Sequence, residues 1–241
     1  MNTSPDISVV VLCYGCGEAA RIFSTDLQKR LTDRDLNYEL LLIGNYFPEK
    51  HDPTVQIIQN IARNDPRIKA ITNSKKEKTM GMGWDMKSGL AAASGATIAV
   101  IDGDGQMPPE DVIRVYQELI KKNLDLVKTT RIFRYDSIWR RFISKIYNMC
   151  MHILFFPIAG TDMNAKPKIF TREAYRKLNL ESNDWFIDAE IMIQAKRHHF
   201  RTGEIPTTFY AHKERESFIS FKAIWEFIKN LIRYRWKELR H

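Results

Sequence analysis

Cysteine is scarce in this chain, with three in 241 residues, at Cys13, Cys16 and Cys150. An odd count without a regular framework excludes a disulfide-stapled scaffold and fits a reducing compartment. Cys13 and Cys16 have C-x-x-C spacing, but a structural zinc site needs a second ligand pair, and none accompanies them. Cys13 ends an apolar run, where cysteine packs as a small core residue. Long hydrophobic runs are lacking too. The most apolar later stretch, Ile153 to Ala159, is cut by Pro157 and falls well short of the ~20 residues that cross a bilayer. Met1 to Asp6 offer neither a basic nor an apolar region, so no secretory signal is expected. Internal repeats and low-complexity linkers are not seen. The expected location is cytoplasmic, with room for contact at the inner face of a membrane.

Hydrophobic residues make up 44% and charged residues 27%, the proportions of an ordinary globular chain. The net charge of +8 suits an anionic partner: nucleic acid, a phosphorylated substrate or an anionic membrane face. Solubility alone would also account for it.

The first half alternates buried strands with helices. Val-rich Ser8 to Tyr14 and apolar Tyr38 to Ile43 read as strands covered on both faces, as do Ile68 to Thr72, Thr97 to Ile101 and Leu124 to Thr130. Helices are expected over Glu18 to Arg30, Thr54 to Asn64 and Trp84 to Ser94, with another opening at Pro108-Pro109-Glu110-Asp111. This order predicts an α/β domain with a mostly parallel sheet flanked by helices. The second half offers a long amphipathic stretch from Ser137 to Phe155, a helix from Asp184 to His198, an edge strand from Arg201 to Phe209 and a final helix from Ser217 to Leu239. Residues 1–212 are expected as one domain and 213–241 as a C-terminal amphipathic basic helix.

The most informative segment follows the strand ending at Ile101. Asp102 and Asp104 are two apart, so in extended chain both carboxylates point to one side. They stand beyond the carboxyl end of a strand, where open α/β sheets bind ligands. Two packed carboxylates call for a cation, and a hard ion such as Mg²⁺ or Mn²⁺ bridging a diphosphate meets that need. A solvated Asp-Gly turn is the plainer alternative. An EF-hand fails on spacing, because position 12 counted from Asp102 is Ile113.

Asp102-Gly103-Asp104-Gly105-Gln106-Met107-Pro108-Pro109-Glu110 resembles the D-x-D-x-Q-x-P-P-E signature of family 2 glycosyltransferases. The branch it most resembles is that of dolichol-phosphate mannose synthases and bacterial polyprenyl-phosphate glycosyltransferases, over about Ile7 to Arg235. The resemblance implies a GT-A, Rossmann-like fold with C-terminal amphipathic helices. It implies an enzyme that moves a sugar from a UDP or GDP donor to a lipid-phosphate acceptor, by inverting displacement. Asp102, Asp104 and Gln106 become the metal and diphosphate residues, with Asp104 in a catalytic role. Arg131, which ends a strand where the family has Ser-Arg, inherits a phosphate contact. Arg140, Ser144 and Asn148 resemble the family's R-x-x-x-S…N helix and share one face by i, i+4, i+8 spacing. A solvated basic face would read the same way. Asp162 resembles the acid that orients or activates the acceptor. Asp188 and Glu190 resemble an acid-bearing helix facing the site, though each could equally be a helix-start charge or an ion-pair partner. Arg215 is expected to supply a positive charge from a position shifted along the family's R-x-x-G-x-S-K loop.

Departures from the signature concentrate at the donor and acceptor ends. Of the usual Pro-x-Tyr-Asn/Glu only Tyr14 stands, with Glu18 as a replacement acid. Asn45 stands where the family has an acid that reads the nucleotide base. Lys78 and Gly81 lie in a longer Gly-rich loop suited to phosphate, and Trp84 and Asp85 are expected near the sugar. Ala165-Lys166-Pro167-Lys168 replaces Ser-Gly-Phe. In the final helix Phe221, Ile224, Trp225, Ile228, Leu231, Ile232 and Arg235 share one side, as in a membrane-interface helix; packing on its own domain is the alternative. Two other readings remain: a transferase with a soluble saccharide acceptor, and a nucleic-acid or anion-binding module. Asp102 and Asp104 speak against nucleic acid as a partner.

Overall fold

The structure, a computed structural model, describes residues 4–77, 79–135, 137–211 and 229–236. Its strands are β1 (Ile7–Leu12), β2 (Tyr38–Ile43), β3 (Ile68–Ile71), β4 (Thr97–Asp102), β5 (Leu126–Arg134), β6 (Lys168–Thr171) and β7 (Thr202–Phe209). The helices are α1 (Glu18–Thr32), α2 (Thr54–Arg63), α3 (Met82–Ala92), α4 (Glu110–Lys121), α5 (Ile138–Phe155), α6 (Arg172–Lys177) and α7 (Ile187–Arg197).

One seven-stranded sheet runs β3-β2-β1-β4-β6-β5-β7. β1 pairs parallel with β2 and β4, and β2 pairs parallel with β3. β6 is antiparallel to both β4 and β5, and β7 closes the edge parallel to β5. Alternate residues of the apolar strands feed opposite faces. Val10, Leu12, Leu41, Ile43, Ile98 and Val100 join a core with α3, α5 and α7. Val9, Val11, Leu40, Leu42, Ala99 and Ile101 join a second core with α1, α2 and α4. Each fully buried aliphatic side chain contributes about 1.5–3 kcal/mol. This two-sided burial is why β1, β2 and β4 carry continuous apolar runs.

Short β6 and α6 were not foreseen in the sequence. β6 follows Pro167 and begins with Lys168, neither of which marks a central strand. The strand is possible because Lys168 Nζ lies 2.6 Å from Asp188 Oδ1 and 2.9 Å from the Ala165 carbonyl. At the chain's end, residues 229–236 are helical and pack on the domain. Leu231 joins the α3–α5–α7 core, Asn230 Nδ2 donates to Asp184 Oδ2 at 2.7 Å, and the Tyr234 ring lies 4.9 Å from that of Phe186. Ile232, on the same side by sequence, is exposed. Phe221, Ile224, Trp225 and Ile228 lie outside the described residues.

Candidate active site

Asp102 is the last residue of β4 and pairs in register with Leu12 of β1. The Gly103 N–H donates to the Leu12 carbonyl at 2.8 Å, which carries the parallel pairing past the strand and fixes the turn after it. Gly105 has φ +73°, a left-handed conformation that L side chains rarely adopt. Asp104 Oδ1 accepts the Gln106 N–H at 3.0 Å and so stabilises this turn. Gln106 is clamped to the end of β7: its Nε2 donates to the Tyr210 carbonyl at 3.1 Å, and the Tyr210 N–H donates to the Gln106 carbonyl at 2.8 Å.

The Asp102 carboxylate already has a cation. Lys166 Nζ lies 3.0 Å from Oδ1 and 3.2 Å from Oδ2. The same ammonium lies 3.3 Å from Asp188 Oδ2, while Lys168 takes Asp188 Oδ1 at 2.6 Å. Burial works against the charge on Lys166, but Asp102 and Asp188 outweigh it and hold its pKa above the ordinary lysine range. Burial pushes Lys168 down to about 8, the attraction of Asp188 notwithstanding. Asp102, Asp104 and the Gln106 amide are hard oxygen donors, a set that fits Mg²⁺ or Mn²⁺ when diphosphate oxygens complete the shell. Among the described residues, no group of three His, Cys, Asp or Glu side chains converges as a metal cage.

Beside this tip, at the ends of β1 and β2, a second cluster forms. The Asn45 amide Nδ2 donates to Asp85 Oδ1 at 2.9 Å, and Asn45 Oδ1 accepts the Asn73 N–H at 2.8 Å. Lys75 Nζ lies 2.7 Å from Asp85 Oδ2 and 4.3 Å from the centre of the Tyr14 ring. Tyr14 and Phe47 meet edge-on with ring centres 6.3 Å apart. Burial raises the Asp85 carboxyl above its ordinary range against the pull of Lys75. Asn45, Lys75 and Asp85 are buried and satisfy one another, so the Asn45 amide, expected to read a nucleotide base, is already taken up by Asp85 and the Asn73 N–H, and Tyr14 is the partly exposed member of the cluster.

Residues 8–184 match glycosyl transferase family 2. The chain belongs to glycosyl transferase family 2. It is 26% identical over 233 residues to a dolichol-phosphate mannosyltransferase of Pyrococcus furiosus, covering 94% of this chain and 63% of that protein. It is 25% identical over 147 residues to an undecaprenyl-phosphate 4-deoxy-4-formamido-L-arabinose transferase of Pseudomonas syringae, covering 60% of this chain and 41% of the other. The chain therefore spans under two thirds of the length of these relatives. Among solved structures it is similar to glucosyl-3-phosphoglycerate synthase of Mycobacterium tuberculosis in complex with Mn²⁺, UDP and phosphoglyceric acid. There the TM-score is 0.68 at 16% identity, over 95% of this chain and 76% of that one. The fold is GT-A.

On the other side of the family 2 tip stands a basic group. Arg131 Nε lies 2.6 Å from Asp162 Oδ2 and Arg131 NH2 2.7 Å from Asp162 Oδ1, and the guanidinium covers the Phe209 ring at 5.0 Å. Burial alone would raise the Asp162 carboxyl, but its hydrogen bonds and charge contact with Arg131 hold it well below the usual carboxylate range. Nearby, Lys128 pairs with Glu204 and donates to the Asp162 carbonyl at 2.8 Å. Arg134 NH1 donates to Ser144 Oγ at 3.1 Å, and Asn148 Oδ1 accepts the Met163 N–H at 3.1 Å. Ser144 thereby ties α5 to the end of β5, and Asn148 ties it to the segment bearing Asp162. Arg140 sits in the first turn of α5, its N–H on the Ser137 cap at 3.3 Å.

Other expected residues have structural partners. Glu18 pairs with Arg21 on the exposed first turn of α1. Glu190 is fully buried and accepts the N–H groups of Glu181 at 2.8 Å and Ser182 at 2.9 Å, besides the Tyr234 hydroxyl. It holds the segment before α7 against α3. The close approach permitted by the glycines is made by the chain's own backbone: a Cβ on Gly81 would meet the Asn183 carbonyl oxygen at 3.0 Å, and one on Gly83 would meet that of Ser182 at 2.5 Å. The Trp84 N–H, in the first turn of α3, donates to the Asn183 carbonyl at 3.1 Å. Lys78 and Arg215 lie outside the described residues. Cys13 is fully buried, and burial pushes its thiol pKa far up, so it is an inert core residue.

The sequence reading passed over Lys75 and Lys166. Each sits in a polar, lysine-bearing stretch that reads as solvated surface. The one available signal for Lys166 was its departure from Ser-Gly-Phe.

Proposed function

We propose that this family 2 protein is a glycosyltransferase that moves a sugar from a UDP- or GDP-sugar to a polyprenyl-phosphate-type acceptor at a membrane surface, with inversion at the anomeric carbon. The observation that carries the reading is that three parts follow the carboxyl ends of interior strands of one sheet: the Tyr14–Asn45–Lys75–Asp85 cluster after β1 and β2, the Asp102–Asp104–Gln106 tip of β4 and the Arg131–Asp162 pair on β5. They suit base, diphosphate and acceptor phosphate in that order.

In this reading the base lies against Tyr14, and Asn45 works from behind by holding Asp85 and the Asn73 backbone in place. Asp102, Asp104 and Gln106 would hold Mg²⁺ or Mn²⁺ with the diphosphate. The ion, when bound, offsets charge growing on the leaving diphosphate. An acceptor phosphate oxygen forms a bond to the anomeric carbon while the bond to the diphosphate oxygen breaks, and that electron pair leaves with the nucleoside diphosphate. A phosphate is already ionised near neutral pH and needs orientation more than a strong base. Arg131 supplies that orientation, its planar fork held by Asp162, with Arg140 at the entrance. Asp162, so strongly acidic, is a poor general base and works by aiming Arg131. Asp188 and Glu190 set the far wall through Lys168 and the Glu181–Ser182 backbone.

Helix α5 supports the lipid acceptor over a soluble one. Tyr147, Met151 and Phe155 bury one stripe in the core. A second apolar stripe, including Ile138, Trp139, Phe142, Met149 and Ile153, is exposed, with Arg141 and Lys145 alongside. An apolar face with aromatic anchors and basic flanks suits the interface of an anionic bilayer. No helix among the described residues is long and apolar enough to cross one. The test is sugar transfer from UDP- and GDP-sugars with Mn²⁺ to undecaprenyl phosphate in vesicles, against 3-phosphoglycerate as a soluble acceptor. Transfer to lipid supports the reading; transfer to the soluble acceptor alone overturns it.

A further inference from the structure

Lys166 is in direct contact with Asp102, and it comes from the chain's own departure from the family signature. Its side chain is 3% exposed and that of Asp102 is 28% exposed, so the ammonium approaches from the protein side and the carboxylate keeps a solvent-facing edge. The amine is held at four points: Asp102 Oδ1 at 3.0 Å and Oδ2 at 3.2 Å, Asp188 Oδ2 at 3.3 Å and Met82 Sδ at 3.4 Å. Its backbone is fixed as well, because Thr129 Oγ1 donates to the Lys166 carbonyl at 2.6 Å. Asp188 has a second ammonium of its own in Lys168, so Lys166 is not needed to neutralise it. Two ammoniums and two carboxylates close the cluster without net charge, and the charge of Asp102 is spent inside the protein.

We propose that Lys166 is a resident counter-cation of Asp102 that makes divalent-ion binding conditional on the nucleotide. This rests on the assignment of Asp102 and Asp104 to a metal–diphosphate site. With Asp102 neutralised from behind, a free divalent ion meets a weakened ligand and a nearby positive charge. The same neutralisation removes the repulsion a bare carboxylate would exert on an incoming diphosphate. The diphosphate brings negative charge of its own, so ion and nucleotide enter together. Lys166 is a positioning residue here; it acts through Asp102.

The proposal predicts two shifts of opposite sign, which loss of structure would not produce. Mn²⁺ binding without nucleotide is measured by electron paramagnetic resonance, and UDP and GDP binding without metal by calorimetry. Lys166→Met is expected to bind Mn²⁺ about tenfold tighter than wild type and nucleotide without metal about tenfold weaker, within the usual range of coupling between sites. Lys166→Arg keeps the charge and stays within about threefold of wild type in both. Lys166→Met/Asp188→Asn, which removes one charge of each sign, guards against misfolding and is expected to follow Lys166→Met in Mn²⁺ binding. Unchanged Mn²⁺ affinity in folded Lys166→Met, or both affinities falling together, overturns the proposal. Mn²⁺ binding by neither protein, with or without nucleotide, overturns the metal assignment together with it. If Mn²⁺ binds but neither nucleotide does, the donor assignment fails and the Mn²⁺ comparison still decides the role of Lys166.

Discussion

Arg131 and Asp162 meet in a two-point pair, Nε to Oδ2 at 2.6 Å and NH2 to Oδ1 at 2.7 Å, in the carboxyl half of β5. The side chains are 12% and 8% exposed, so the guanidinium plane is set by a nearly buried carboxylate. A fork held at two points has few alternative orientations, which is what aiming at a phosphate requires.

Asp162→Asn should therefore leave nucleotide affinity within about threefold of wild type but lower kcat/KM for the lipid acceptor roughly 10- to 100-fold, the scale of a misplaced positioning group. Asp162→Ala should also destabilise the fold by about 3–5 kcal/mol, because it strands a buried guanidinium. Steady-state kinetics with varied acceptor and a urea melt measure the two effects. An equal loss of donor binding would count against the acceptor assignment.

Tyr14→Ala should weaken UDP or GDP binding by about 1–3 kcal/mol, the range of base–aromatic stacking, with little change in melting temperature. Calorimetry of the nucleotide with Mn²⁺ measures it. Unchanged affinity would remove the base from the Tyr14 ring.

Acid stability should carry the mark of Glu39. Its carboxylate accepts from Ser8 Oγ and the Ser94 N–H and pairs with Lys69. Burial opposes the charge, but these partners win and lower its pKa from 4.5 to about 2. The folded pKa lies below the unfolded one, so this stabilisation is fully present above pH ~4.5 and is lost as pH falls towards about 2. Glu39→Gln should be less stable than wild type at neutral pH by about 1.5–3 kcal/mol, the range for hydrogen bonds to a charged group. Denaturant melts from pH 7 to 2 should show the difference shrinking through the acid window. A constant difference would contradict the assignment.

Trp139→Ser/Ile153→Ser should weaken binding to anionic vesicles several-fold without lowering the melting temperature, since these side chains are 62% and 71% exposed. Phe155→Ala, on the buried stripe of the same helix, should cost about 3–5 kcal/mol of stability instead. Vesicle co-sedimentation and thermal melts separate the two faces. Unchanged sedimentation of the double variant would deny α5 a membrane role.

The parallel half of the fold was legible because β1, β2 and β4 are covered on both faces and show it as unbroken apolar runs. The β2 boundaries, Tyr38 and Ile43, were read from sequence without error. Strand β6 was not legible, since Lys168 lies in the sheet only by virtue of Asp188, 20 residues away. The place of Asp102 at the tip of β4 was legible from the apolar run before it, whereas its ion partners were not. Lys75 and Lys166 look like solvated lysines until the fold brings Asp85 and Asp102 to them. The Gly81 loop shows the reverse case: glycines suited to a phosphate instead receive the backbone of Asn183 and Asp184. Charge pairing across distant segments leaves no periodic trace, which is why the strands could be read and the ion pairs could not.

The most direct test of the metal–diphosphate tip is calorimetric titration of UDP and GDP, with and without Mn²⁺, into wild type and Asp104→Ala. The account predicts saturable binding of one nucleotide by wild type, tightened by Mn²⁺. In a folded Asp104→Ala, affinity in the presence of Mn²⁺ falls at least tenfold, about 1.4 kcal/mol. Equal affinity in the two proteins, with Mn²⁺ without effect on either, would contradict it.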